Sequence, residues 1–127
     1  MYTITSVTVY NMHSVTSNAV ARLGEEITGW STGSGFGFTG TVIKIGKVVL
    51  IVGRATGGGS VGNIILTDLP INKGREVQFV PCNIWNDYIT TRNSGVIGIE
   101  QNSTVLKVYV GDYANSFFGV SIAYITE

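Results

Sequence analysis

Thr41-Val-Ile-Lys-Ile-Gly-Lys-Val-Val-Leu-Ile-Val52 is the stretch whose reading decides the fold. Two runs of apolar, mostly β-branched residues flank Gly46-Lys47, and a two-residue loop with glycine first is what a type II′ hairpin turn prefers. The second run, 48–52, is apolar at every position. Side chains alternate across a strand, so both faces of this one are greasy. One face can line a core. The other needs a cover, and helices that could supply it are missing from the sequence. A neighbouring copy of the chain is therefore expected there, with Val49 and Ile51 at the contact.

Further strands follow outward from the hairpin. Residues 63–69 form one, ended by Pro70, and 76–84 another, whose Pro81 suits an edge or a bulge. Residues 96–100 and 104–110 pair across 101–103 as a second hairpin. Phe117–Ile125 closes the chain with Phe118, Val120, Ile122 and Tyr124 on one face. Residues 55–62 are a glycine-rich loop, 85–88 a turn, and 88–92 a short strand. About eight short strands at this spacing predict an all-β, antiparallel β-sandwich or jelly-roll-like head over 35–127.

Upstream, 1–34 reads as a neck and linker. Residues 1–10 alternate and suit an extended chain. Thr16 is a good N-cap, Val15 before it can staple onto Val20, and Val20, Leu23 and Ile27 make one apolar seam of a short helix over about 16–27. Gly24 threatens to stop that helix early. So narrow a seam makes sense if identical helices meet around an axis, which adds Val20, Leu23 and Ile27 to the expected subunit contact. Residues 29–40 read as a linker or entry loop, with Trp30 as an inter-domain or inter-subunit anchor.

Composition narrows the function classes. Only 13% of the 127 residues are charged, 44% are hydrophobic, and seventeen glycines stand against two prolines, which suits short strands and tight turns and excludes disorder. The high mean hydropathy comes without any apolar run near the ~20 residues that span a bilayer, so buried subunit contacts are the simplest home for the surplus, not membrane insertion. Eight basic residues balance eight acidic ones, leaving no net field for nucleic acid or an anionic membrane. The single cysteine, Cys82, permits no internal disulfide, in keeping with synthesis in a reducing cytoplasm.

Two stretches resemble bacteriophage tail-fibre and receptor-binding proteins. Ser14-Val-Thr-Ser-Asn-Ala-Val-Ala21 is similar to a segment that often precedes the distal domain of such fibres. The order of the hairpin 41–52, Asp68-Leu-Pro70 before Val77-Gln-Phe79, and the closing Val120-Ser-Ile-Ala-Tyr-Ile-Thr126 is similar to that of fibre heads. Ile71-Asn-Lys-Gly-Arg75 departs from the usual step after Pro70. The resemblance covers residues 12 to 127. It implies a homotrimer at the tail tip of a phage or prophage virion, made in the bacterial cytoplasm and recognising a bacterial cell-surface glycan. A fibre normally continues upstream, so the chain is expected to be a fragment or a very short gene product.

Residues that could carry catalysis are few. His13 and Cys82 are the sole members of their kinds, so no multi-histidine or Cys₂His₂ metal site forms within one chain; His13 reads as a polar residue beside a helix start and Cys82 as a small buried hydrophobe. Gly53-Arg-Ala-Thr-Gly-Gly-Gly-Ser60 lacks the lysine of a phosphate loop. No cofactor is implied. The scattered carboxylates give a glycosidase no flanking signature, with Asp87 and Asp112 the one pair to consider. Binding has a better signal: sugars are held by an aromatic face against their C–H groups, with polar side chains fixing the hydroxyls. Trp85, Asn86, Asp87 and Tyr88 with Arg92 supply that mixture, and Asp112, Tyr113 and Asn115 a smaller one. The alternative is that Trp85 and Tyr88 pack at the end of the sandwich while Asn86 and Asp87 make a turn. The expectation is thus a non-enzymatic, saccharide-binding trimeric head, with a purely structural fibre-tip module or a polysaccharide-degrading spike as the other readings.

Overall fold

The computed structural model describes residues 24–57, 63–85, 92–113 and 116–127. Over these the chain is all-β, with β1 (Glu25–Glu26), β2 (Ser31–Thr32), β3 (Phe36–Ile45), β4 (Val48–Gly57), β5 (Ile64–Thr67), β6 (Gln78–Trp85), β7 (Arg92–Ile99), β8 (Leu106–Val110) and β9 (Phe117–Ile125). These nine strands form one antiparallel sheet in the order β1-β3-β4-β9-β6-β7-β8-β5-β2. The sheet curls until β5 and β2 at one end touch β3 near the other, wrapping a single core.

The hairpin of β3 and β4 forms where the sequence places it, and it is longer than expected. Pairing runs from Ile45↔Val48 to Phe36↔Gly57, so the aromatic and glycine residues after Gly35 belong to β3 and not to a linker. Gly46 has φ +59°, whereas Lys47 keeps a negative φ, as the expected turn type demands. β9 also spans the expected residues and pairs along β4 from Val48↔Ile125 to Thr56↔Phe117. Its Phe118, Val120, Ile122 and Tyr124 all point inward and are buried. Opposite them in register stand Ala55, Ile51 and Val49 of β4, which makes these two strands the centre of the core.

That register corrects the expected subunit contact. Val49 and Ile51 are fully buried by their own chain, because they share a face with Tyr124 and Ile122. The outward face of β4 is Val48, Leu50 and Val52, beside Ile43 and Ile45 of β3 and Ile125 of β9. Val52 and Ile125 keep about half their surface exposed, 49% and 47%. The helix expected over 16–27 falls outside the described residues as far as 23. From Gly24 the chain is extended: Glu25 and Glu26 pair with Lys44 and Ile43, and the Ile27 amide donates to the Val42 carbonyl at 2.8 Å. The Ile27 side chain packs on its own core. Val20 and Leu23 lie outside the described residues. Trp30, expected as an anchor to another body, instead packs edge-on against Phe38 at 5.5 Å and donates its indole N–H to the Ile27 carbonyl.

β6 joins the sheet to β9 only through Ile84↔Phe118 and Trp85↔Phe117. Farther along, β6 pairs with β7 alone, through Pro81↔Val96 to Gln78↔Ile99. Pro81 has no N–H to offer a second neighbour, and it sits where β6 has left β9. The connection before β6 is held by Asn72, which is buried. Its amide donates to the carbonyls of Ile99 (3.1 Å), Glu100 (3.3 Å) and Glu76 (3.4 Å), and its Oδ1 accepts from the Gly74 amide at 2.9 Å. The Tyr124 hydroxyl donates to the Pro70 carbonyl at 2.8 Å, fixing the start of the same connection.

Phe118 lies edge-on to both Tyr113 (4.7 Å) and Phe36 (5.9 Å) and is fully buried. Phe118→Ala is expected to lower stability by about 3–5 kcal/mol, the cost of a large cavity in a packed core. Urea unfolding followed by intrinsic fluorescence measures it; a loss below about 1 kcal/mol would place the centre of the core elsewhere.

Candidate functional site

Register in the sheet carries three outward side chains into one row across β4, β9 and β6. Trp85 of β6 stands opposite Phe117 of β9, and Phe117 stands opposite Thr56 of β4, two residues from Arg54. The Trp85 and Phe117 rings stack with centroids 6.1 Å apart and planes 22° from parallel. The Arg54 guanidinium lies 5.1 Å from the Phe117 centroid, a cation–π contact. Phe117 is the middle member of the row. Beside it a shallow groove of about 290 Å³ runs between Pro81, Asn83, Trp85, Ser94, Gly119 and Ser121. Its floor is open because β9 presents small residues outward there, and a side chain at Gly119 would meet nothing within 4 Å. An aromatic platform next to hydroxyl and amide groups is the arrangement that holds a sugar, its C–H face on the ring and its hydroxyls on the polar groups.

Of the expected ligand residues, Trp85 is half-buried and lines the groove. Tyr113 and Ser116 come to the same end of the sheet as Trp85: the Gly57 amide donates to the Ser116 carbonyl at 2.8 Å, next to the Thr56↔Phe117 pair, and the Ser116 amide donates to the Tyr113 carbonyl at 3.3 Å. Asp112 is exposed there. Asn86, Asp87, Tyr88 and Asn115 lie outside the described residues, and Arg92 is described by its backbone, which pairs with Trp85. Tyr113 is corrected from a ligand residue to a core residue. It is 7% exposed, its hydroxyl donates to the Val110 carbonyl at 2.6 Å, and the Cys82 thiol is 3.5 Å from the same oxygen. Its hydroxyl slots against Gly95, where a Cβ would collide with it. The phenol thereby satisfies carbonyls beside the register shift between Val96 and Ile97.

Two features went unread in the sequence. A depression of about 440 Å³ lies at the opposite end of the sheet between Val48, Gly74, Arg75, Gln78 and Ile125. It is larger than the Trp85 groove, but its aromatic member, Tyr124, is buried with its hydroxyl committed to Pro70. No ring face is offered to a ligand there. Phe79 and Tyr109 form an exposed edge-on pair at 4.8 Å, and the Tyr109 hydroxyl donates to Glu100 Oε1 at 3.1 Å. The Phe79 ring lies over Gly98, so one of its faces is used within the sheet. Cross-strand neighbours bring both together, and a one-dimensional pattern holds no sign of them.

No protein-family model matches the chain, and no curated protein matches its sequence. Among solved structures, the crystal structure of the receptor binding protein (gp15) of Listeria phage PSA is similar, with a TM-score of 0.56 over 97% of this chain and 82% of that one. The two chains share a fold. At 18% identity the likeness extends to architecture, and the side chains of the row described above have to be argued from this chain itself.

Burial dominates the electrostatics of the tyrosines. It pushes the Tyr113 and Tyr124 phenols well above their usual range, and it pushes the Tyr109 phenol up to about 12, with the Glu100 hydrogen bond and charge acting in the same direction. Burial likewise raises the Cys82 thiol, a shift that the Tyr113 hydrogen bond opposes. A phenol whose folded pKa lies above its unfolded value of ~10 adds stability that is complete below pH ~10 and disappears as pH climbs towards the folded pKa. Absorbance titration of the folded protein is expected to show Tyr109, Tyr113 and Tyr124 ionising late, with stability falling from about pH 10 upward. Titration of all tyrosines near pH 10 with the fold intact would contradict this placement.

Proposed function

We propose that this chain is the head of a homotrimeric bacteriophage tail fibre or receptor-binding protein, at the tail tip of the virion, and that it attaches the particle to a bacterial cell-surface saccharide by non-covalent binding. The observation that carries this reading is the fold shared with a phage receptor-binding protein over nearly the whole chain. The resemblance of Ser14–Ala21 and of the strand order to fibre proteins supports it independently. The Trp85–Phe117 platform beside a polar groove supports a recognition role.

Trimerisation is supported by the outward face of β3, β4 and β9. Ile43, Ile45, Val48, Leu50, Val52 and Ile125 form a contiguous apolar surface, and single soluble chains rarely leave such a surface bare. A three-fold contact joins two different patches, so this face meets an unlike surface on the next copy. Three shallow sites on one rigid head then act together, and weak single contacts add up to firm attachment.

Size-exclusion chromatography with light scattering is expected to give a trimer, and Leu50→Lys with Val52→Lys to give monomers with an unchanged circular dichroism spectrum. A stable wild-type monomer at micromolar concentration would refute the trimer. On a glycan array the wild-type protein is expected to bind specific glycans, and Trp85→Ala to weaken that binding about tenfold or more, the scale of one lost stacking contact at a central anchor. A silent array would favour a structural module that touches no receptor.

A further inference from the structure

We infer that the saccharide taken at the Arg54–Phe117–Trp85 row carries an oxyanion, a phosphate or a carboxylate, and that Arg54 is the residue that selects it. This rests on the proposed saccharide-binding role and narrows its ligand class. Arg54 is exposed, and a guanidinium stays charged at any pH a protein tolerates. Among the described residues it has no carboxylate partner: the ion pairs there are Lys73–Glu127 and Lys107–Glu100. The Phe117 ring face, 5.1 Å away, holds the guanidinium in place, and its N–H fork suits a planar or tetrahedral oxyanion. Across the ladder from Arg54 stands Gly119, where a side chain would find open space, so room beside the cation is built into β9.

The neighbouring groove groups, Asn83, Ser94 and Ser121, are neutral. Neutral hydroxyls would satisfy themselves with such groups alone. A fixed cation at the head of the row adds a preference that only a charged substituent exploits, and in a chain with so few charges its place beside the aromatic platform discriminates between ligands. Because Phe117 contacts both Arg54 and Trp85, one sugar unit can stack on the rings while its anionic substituent reaches the fork.

The test is a glycan array holding neutral, phosphorylated and uronic-acid glycans, probed with wild type, Arg54→Gln, Arg54→Lys and Trp85→Ala at low and high salt. Wild type is expected to bind anionic glycans, to lose that binding about tenfold or more in Arg54→Gln, to recover part of it in Arg54→Lys, and to weaken with salt. The phosphorylated and uronic-acid arms identify which oxyanion is read. Binding confined to neutral glycans, or anionic binding that survives Arg54→Gln, overturns the inference while a Trp85-dependent signal keeps the saccharide role. Absence of any wild-type binding, or binding indifferent to Trp85→Ala, removes the proposed site itself and this inference with it.

Discussion

Alternation along β9 ties the interior of this molecule to its surface. The strand lies between β4 and β6, and its inward residues, Phe118, Val120, Ile122 and Tyr124, are the large ones. Its outward residues after Phe117 are Gly119, Ser121 and Ala123 before Ile125 closes the strand. A slip of one residue against β4 would expose the first set and bury the second, so the hydrophobic effect fixes the register firmly. Once it is fixed, Phe117 must point outward beside Trp85, and the small residues must leave a trough along the outer wall. Core and candidate site are two faces of one choice.

Much of this was legible in the sequence. The turn at Gly46-Lys47, the apolar run after it and the alternation in Phe117–Ile125 each state a strand locally, and the structure has them there. What the run 48–52 could not state is which of its two apolar faces turns inward. That is decided by pairing with Tyr124 and Ile122, more than seventy residues away. The expected contact residues Val49 and Ile51 were on the wrong side for this reason. Two-residue strands such as Glu25–Glu26 and Ser31–Thr32 carry no period at all and exist only because a longer neighbour offers them partners. Asn72 is similar: nothing in Ile71-Asn-Lys-Gly74 announces a buried amide bonded to carbonyls nearly thirty residues on.

The candidate site divides along the same line. Trp85 stood out because an aromatic among polar residues near a turn is a local signal. Arg54 and Phe117 did not, since their meeting depends on cross-strand register. Tyr113 was misread because a tyrosine in a polar loop looks alike whether its hydroxyl faces solvent or closes a gap in a ladder. Only the glycine at 95 and the bare carbonyl of Val110 make the second outcome the favourable one.

The outermost strands of the sheet, β1 and β2, are two residues long, and they carry Glu25, Glu26, Ser31 and Thr32, all exposed. Open sheet margins are where foreign strands add on and where fibrillar aggregation starts. Short, polar margins, one of them bearing adjacent carboxylates, give an incoming strand little backbone to copy. A chain this rich in valine and isoleucine is thereby steered away from end-on stacking into amyloid-like ribbons.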